Sequence, residues 1–543
     1  MGSTRSRTGW LLVLTTVPPL VETVIFSAFG YRAAQALAPQ LTAVWPYDSY
    51  HDMRWLFVYH NSWAVFVVGL VALVGLRGLF SGLVTWLAWP TGRPRPTFRW
   101  LLVRNLRVAA LAALVVSPWA ILSVFAAVVS LSWFLAASLV PMLVIAPFLQ
   151  RAGVTEHWWR GLPSIEQVGW TLLNVAALTV VGAALWSVGR WWDPLVVIPG
   201  GIVNGLLWRQ TIRAAVLPTR VRWARVPVAP LVAAVLVVAA AGGYVRVTTN
   251  TPGPGGWRPP LITRPLPATV DRAVIVLAGY GTAYDGQPAV DPAVVRFSYR
   301  GLDGQGRPLP YAPEDTHRSL ESSTALLAAQ VDVLHRRTGR PVALVGESEG
   351  AMVARTYVER RPGSPVDTVL MFSPLVRPGR VYYPPRDERT GWGIAAGWAL
   401  RILLGLGNLI SPGEDVNADQ PFLRSLLDDA PFYRSRTLCP VPGVRMLAFV
   451  PTVAATEAPP RDVAGIPVFE IPALHGGLLG RAVVQDEVVR FLGGAPVSGG
   501  RREYDLFQRL SGAWQAPSLV ISINPAWRVA PSFDPSFTPR RAC

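Results

Sequence analysis

The stretch from Pro341 to Gly350, PVALVGESEG, decides how the C-terminal half of this chain folds. Its first part, Pro341 to Val345, is a short uninterrupted apolar run, the pattern of a strand buried on both faces of a parallel sheet. Gly346-Glu347-Ser348-Glu349-Gly350 follows at once, and Ala351 to Arg360 after it is compatible with a helix. A G-x-S-x-G pentapeptide is common by chance. Between a buried strand and a helix it reads as a strained turn that presents a serine hydroxyl above a sheet. The competing reading is a turn that happens to hold a serine.

The flanking sequence repeats the alternation. Ala273 to Ala278 (AVIVLA) and Val294 to Tyr299 read as strands, and Ser322 to Arg337 as a helix with Leu326, Leu327, Val331 and Leu334 on one face. Asp367 to Phe372, Arg445 to Val450 and Ile466 to Ile471 read as further strands, and the Leu478 to Leu492 region as a closing helix. Strands alternating with helices predict an α/β domain over 270–494 built on a mostly parallel sheet.

A serine needs a base to become nucleophilic at neutral pH, and the six histidines can be sorted by elimination. His51, His60 and His157 fall in the apolar N-terminal half, while His317 and His335 flank a helix and read as solvated. His475 follows the last strand, beside Gly476-Gly477, and is the expected base. The acid that orients it should lie between the Arg445 to Val450 strand and His475. Glu457 is the first choice and Asp462 the second. Backbone N–H groups of Glu349 and Tyr280 are the expected oxyanion donors. Two glutamates beside the serine would oppose a developing negative charge unless paired or turned away.

These features together, the elbow at Ser348, the loop with Tyr280 and the late loop with His475, resemble the α/β-hydrolase superfamily over about Arg272 to Phe491. The resemblance implies a serine hydrolase or acyltransferase working on an ester or thioester without a cofactor. It also marks about 374–442 as an insertion between core strands, the place of a lid. The apolar part, Trp392 to Ile410, reads either as a helix lying on a membrane or as a buried cap.

The N-terminal half has a different texture. The chain is 51% hydrophobic and 15% charged, and the apolar excess lies before residue 250. That divides the molecule into a transmembrane helical bundle over 1–250, a Pro/Gly-rich linker over 251–269, the α/β domain, and an irregular tail over 495–543. About seven spans are expected, since a bilayer core takes roughly 20 apolar residues per helix. They are Trp10 to Phe29, Trp55 to Leu76, a hairpin within Val108 to Gln150 turning near Ser130 and Ser132, Val168 to Val188, Pro194 to Trp208 and Pro227 to Val245. Gly78 to Trp89 reads as interfacial, and Pro199-Gly200-Gly201 as a break or a tilt in the sixth span. Glu22 is the notable ionisable residue in a span, read as a functional or a bundle-holding carboxyl, and Asn174 and Asn204 read as interhelical hydrogen-bond partners.

The net charge of +17 is carried by arginine alone, with no lysine, a usage resembling high-GC bacterial membrane proteins of the actinomycete type. Many of these arginines fall in short loops between apolar spans, which points to topology and away from nucleic-acid binding. Their alternation puts the N-terminus in the cytoplasm and the α/β domain outside the plasma membrane. Cys439 and Cys543 form no metal motif and are either a disulfide or two thiols. The sequence therefore predicts a membrane-anchored serine hydrolase or acyltransferase with membrane lipids and an acyl ester as partners. The alternative is a transporter or receptor carrying an idle hydrolase-like module.

Overall fold

A computed structural model describes residues 2–129, 131–216, 258–376, 382–410, 417–428, 437–451, 465–471, 475–476 and 478–497, with 510, 512–514 and 517 from the tail. The C-terminal half is a six-stranded sheet of β1 (Ala273–Leu277), β2 (Val294–Arg296), β3 (Val342–Glu347), β4 (Val366–Phe372), β5 (Arg445–Pro451) and β6 (Val468–Ile471). Their order is β2-β1-β3-β4-β5-β6 and every pairing is parallel. Ile275, Leu344, Met371 and Ala448 enter one core, while Val276, Val345, Leu370 and Leu447 enter another on the opposite face. A sheet buried on both sides explains why these strands read as continuous apolar runs. The order reverses between β1 and β3, and in an open parallel sheet a crevice forms at that switch, beyond the carboxyl ends of the strands.

The segment read as the linker is not wholly irregular. Pro260–Thr263 forms one helical turn, with Leu261 and Ile262 buried under the sheet.

Among the described residues of the N-terminal half, five helices are long and apolar enough to cross a membrane. They belong to α1 (Gly2–Ala28), α3 (Trp63–Ala88), α4 (Phe98–Val129), α6 (Ile165–Ser187) and α7 (Asp193–Val216). Between the first two lies α2 (Tyr47–Val58), and α5 (Leu131–Ala152) follows α4. The helices α4 and α5 lie antiparallel as a hairpin, since Arg104 Nε donates to Ala152 O at 2.6 Å and Asn105 Nδ2 to Gly153 O at 3.3 Å. Ser130 and the expected seventh span, Pro227 to Val245, lie outside the described residues.

Two expectations are corrected. The second span is α3, displaced toward the C-terminus, and Gly78 to Trp89 is mostly part of it rather than a separate interfacial piece. Ser62 starts this helix, its hydroxyl accepting from Val65 N at 3.4 Å, and Arg77 does not end it. Arg77 reaches Asp52 of α2 through Nε at 2.5 Å and Nη2 at 2.6 Å, and a buried charge held in a bidentate pair can stay inside a bundle. The sixth span is unbroken through Pro199. Gly201 lies where a β-carbon would come within 2.6 Å of Thr16 Cα, so the small residues there serve close helix packing.

Asn174 Nδ2 donates to Asn204 Oδ1 at 2.7 Å, as expected, and Asn204 Nδ2 continues to Thr42 O at 2.7 Å. Glu22 lies 3.8 Å from His51 Nε2, a contact that draws α1 and α2 together.

Among the described residues the two halves touch at two places. The insertion helix α10 follows α8 (Leu320–Thr338) and α9 (Glu349–Arg360), runs from Ile394 to Ile410, and begins against the turn joining α2 to α3. There Gly393 N donates to His60 O at 2.8 Å, Gly391 N to Asn61 O at 2.9 Å, and Ala395 N to His60 Nε2 at 2.8 Å. Ala396, Ala399 and Leu403 pack into the membrane-half core. The second contact is the tail, where Trp514 is buried with Tyr47 and donates from Nε1 to Thr179 Oγ1 at 2.8 Å. Arg54 Nη1 donates to Trp514 O at 3.0 Å.

Candidate active site

The turn after β3 is as tight as the pentapeptide suggests. Ser348 has φ 54° and ψ −114°, a left-handed backbone at a residue with a β-carbon. Such strain persists only where the surroundings over-determine it. Here the glycines are the cause. A β-carbon at Gly346 would lie 2.4 Å from Gly350 O, and one at Gly350 would lie 2.5 Å from Leu277 O. The helix α9 can start this close to β1 and β3 only because both positions lack a side chain. From Val342 to Gly350 every residue is buried except Ser348, which is half-buried and follows β3 beside the switch in strand order, where open parallel sheets place their ligands.

His475 comes to the serine from the far side of the sheet. Its Nε2 lies 2.8 Å from Ser348 Oγ, across 127 residues of sequence. Gly476, with φ 84°, makes the turn, and its N–H donates to Ser373 Oγ at 3.3 Å. Ser373 ends β4 with φ 45° and is itself tied to the sheet, its N–H donating to Phe449 O at 2.8 Å. The sequence reading missed Ser373. Its signal was the strand-ending Ser373-Pro374 pair, which needs the neighbouring strand to acquire meaning.

The loop after β1 also closes on the serine, as Gly279 lies where a β-carbon would be 3.1 Å from Ser348 Cβ. The next residue, Tyr280, stacks on His317 with ring centroids 5.0 Å apart and on Phe422 at 5.6 Å. Its hydroxyl hydrogen-bonds Gln420 Oε1, and Gln420 Nε2 pairs with His317 Nδ1 at 3.1 Å. His317 is thus half-buried in the wall beside the serine, not solvated as the sequence suggested. Phe422 and Gln420 come from the insertion, which no local pattern assigns to the site.

Glu349, beside the serine, is buried, with both carboxylate oxygens enclosed without a hydrogen-bond partner. Burial pushes its carboxyl well above the ordinary carboxylate range, which favours the neutral form. That shift lessens the objection raised by a glutamate next to an oxyanion site. Glu347 is also buried. The acid candidates Glu457 and Asp462 lie outside the described residues. Among the described residues, no group of three or more His, Cys, Asp or Glu side chains is arranged to hold a metal ion.

Searches of this chain against models of known families, curated proteins and solved structures return no match.

Proposed function

We propose that this chain is a membrane-anchored serine hydrolase or acyltransferase of the α/β-hydrolase superfamily, acting on an ester or thioester. One observation carries the reading: a strained serine at a strand-to-helix turn with an imidazole nitrogen 2.8 Å from its oxygen. In the proposed reaction Ser348 Oγ attacks the acyl carbonyl carbon while His475 Nε2 takes the hydroxyl proton. The N–H groups of Glu349 and Tyr280 receive the resulting oxyanion. Collapse expels the alcohol or thiol, which takes the proton from His475. Water or another acceptor then resolves the acyl-serine by the same steps in reverse. Glu457, or Asp462 in its place, orients the imidazole.

The location belongs to the same proposal. The membrane half crosses a bacterial plasma membrane about seven times, N-terminus in the cytoplasm and sheet domain outside. Docking of α10 on His60 and Asn61 supports this, because that turn joins the first two spans and lies across the bilayer from the arginine-rich segment 93–107. Cys439 is disulfide-bonded, which also suits an oxidising compartment. A lipidic or envelope-derived acyl ester fits the position of α10 beside the site and the bundle.

Intact cells treated with a membrane-impermeant fluorophosphonate test both parts. Wild-type chain should be labelled and Ser348→Ala should lose all labelling. Labelling that survives in Ser348→Ala, or none in folded wild type even after lysis, would overturn the activity. Labelling that appears only after lysis would overturn the orientation.

A further inference from the structure

At the arginine-rich end of the bundle, across the membrane from the sheet, a cavity of about 720 Å³ opens between α4 and the segment following α5. It shares no residue with the candidate active site. One wall is α4 itself, from Arg99 to Leu111. At 1.5 Å per residue that wall is about 18 Å long, running from the water-facing end of the span into the hydrocarbon level.

Chemistry changes along the wall. Arg99, Arg104 and Arg107 supply the cations, with Glu156 as the one acid lining the cavity. Arg104 is fixed by its bond to Ala152 O and by lying 5.1 Å from the Trp100 ring centroid, while Arg99 and Arg107 are exposed. The first turn of α4 adds the positive end of the helix dipole. Val103, Val108 and Leu111 line the part that runs toward the bilayer centre. Trp158 and Trp159 close the rim opposite Trp100, an amphipathic belt of the kind found where headgroups meet acyl chains.

A net positive mouth over an apolar slot suits an anionic amphiphile better than a soluble anion, which would leave the slot uncovered. We propose that this cavity is a binding site for a membrane lipid with a phosphate-bearing anionic headgroup. The phosphate sits among Arg99, Arg104 and Arg107, and an acyl chain lies along Val103, Val108 and Leu111. Basic pockets between spans are a recognised means of holding such headgroups.

Native mass spectrometry of the full chain released from detergent tests this, with phosphatidylglycerol and phosphatidylcholine offered in equal amounts. Wild type should retain phosphatidylglycerol preferentially. The Arg99→Gln/Arg107→Gln variant should reduce its retention roughly tenfold or more, since each arginine near a headgroup contributes appreciably. Val103→Trp fills the slot without touching a charge, and it should reduce retention too. All three positions are at the surface, and unchanged elution on size exclusion reports that the variants fold. Equal retention of the two lipids by wild type would overturn the proposal. So would retention undiminished in either variant, or displacement of the lipid by millimolar inorganic phosphate, which would assign the site to a soluble anion.

Discussion

The residue that most constrains the candidate site is Glu349. It occupies the first position of α9, where its backbone N–H is one of the proposed oxyanion donors while its carboxyl is buried near Tyr299 and Tyr311. A carboxyl whose folded-state pKa is raised favours folding fully only while the unfolded chain also holds the proton. Above the ordinary glutamate range the unfolded state ionises and the folded state does not, so stability falls as pH rises, at up to about 1.4 kcal/mol per pH unit. Glu349→Gln, which keeps the shape and cannot ionise, should flatten that fall. Thermal melts of the full chain in detergent at pH 5 and pH 8 would show it as a smaller loss in the variant. Equal losses in both proteins would mean that the carboxyl is ionised in place. The prediction concerns stability alone, because fluorophosphonate labelling should persist if the Glu349 contribution is its backbone.

At the scale of elements, α10 is the part that joins the two halves, and His60 is its anchor. The ring accepts from Ala395 N through Nε2 at 2.8 Å while Nδ1 lies 2.8 Å from Leu56 O, an arrangement that needs the neutral imidazole. Burial depresses its pKa below the ordinary histidine value. The unfolded chain therefore binds the proton more readily, and the contact is whole above about pH 6.5 and weakens as pH falls below it. His60→Ala should remove about 1 kcal/mol, lowering hydrogen-exchange protection over 394–398 about fivefold at pH 7.5. Protection that is unchanged by the substitution, or that is indifferent to pH in wild type, would refute the anchor. The consequence reaches the candidate site, since Arg401 of α10 holds Asp419 at 2.7 Å and the next residue, Gln420, bonds Tyr280. The outer face of α10, with Ile402 59% exposed, Leu406 52% and Leu409 78%, is continuous in character with the spans beside it.

These same elements mark what the sequence could convey. The six strands and the meeting of Ser348 with His475 were legible, because each depends on a local pattern or on chain order. Some strand ends shifted, β2 stopping at Arg296 and β6 starting at Val468. The helix α3 was misplaced because Arg77 looked like the end of a span, and only its partner on α2 makes it tolerable inside. Tyr280 was expected as a backbone donor, yet the ring stack that fixes it comes from His317 and Phe422, residues joined only by folding. Ser373 and His60 act through backbone groups of distant segments, which leave no periodicity to read.

At the scale of the whole molecule, the tail is part of the bundle. Trp514 is 1% exposed, locked between Tyr47 of α2 and Thr179 of α6. Trp514→Ala should cost about 3–5 kcal/mol, as for other buried tryptophans truncated to alanine. Thermal unfolding of the purified chain would register it as a lower midpoint, and a midpoint unchanged from wild type would mean that the tail is dispensable to the bundle.

The placement of Trp514 also sets an order of events during synthesis. Ribosomes add about 5–20 residues per second, so the roughly 300 residues between Trp208 and Trp514 take on the order of 15–60 s. Throughout that interval the spans are already in the bilayer with a gap where the indole belongs. Only a chain translated past the sheet domain, as far as Trp514, can fill it. A truncated product would keep its spans yet expose an unfilled seam to the proteases that clear incomplete membrane proteins.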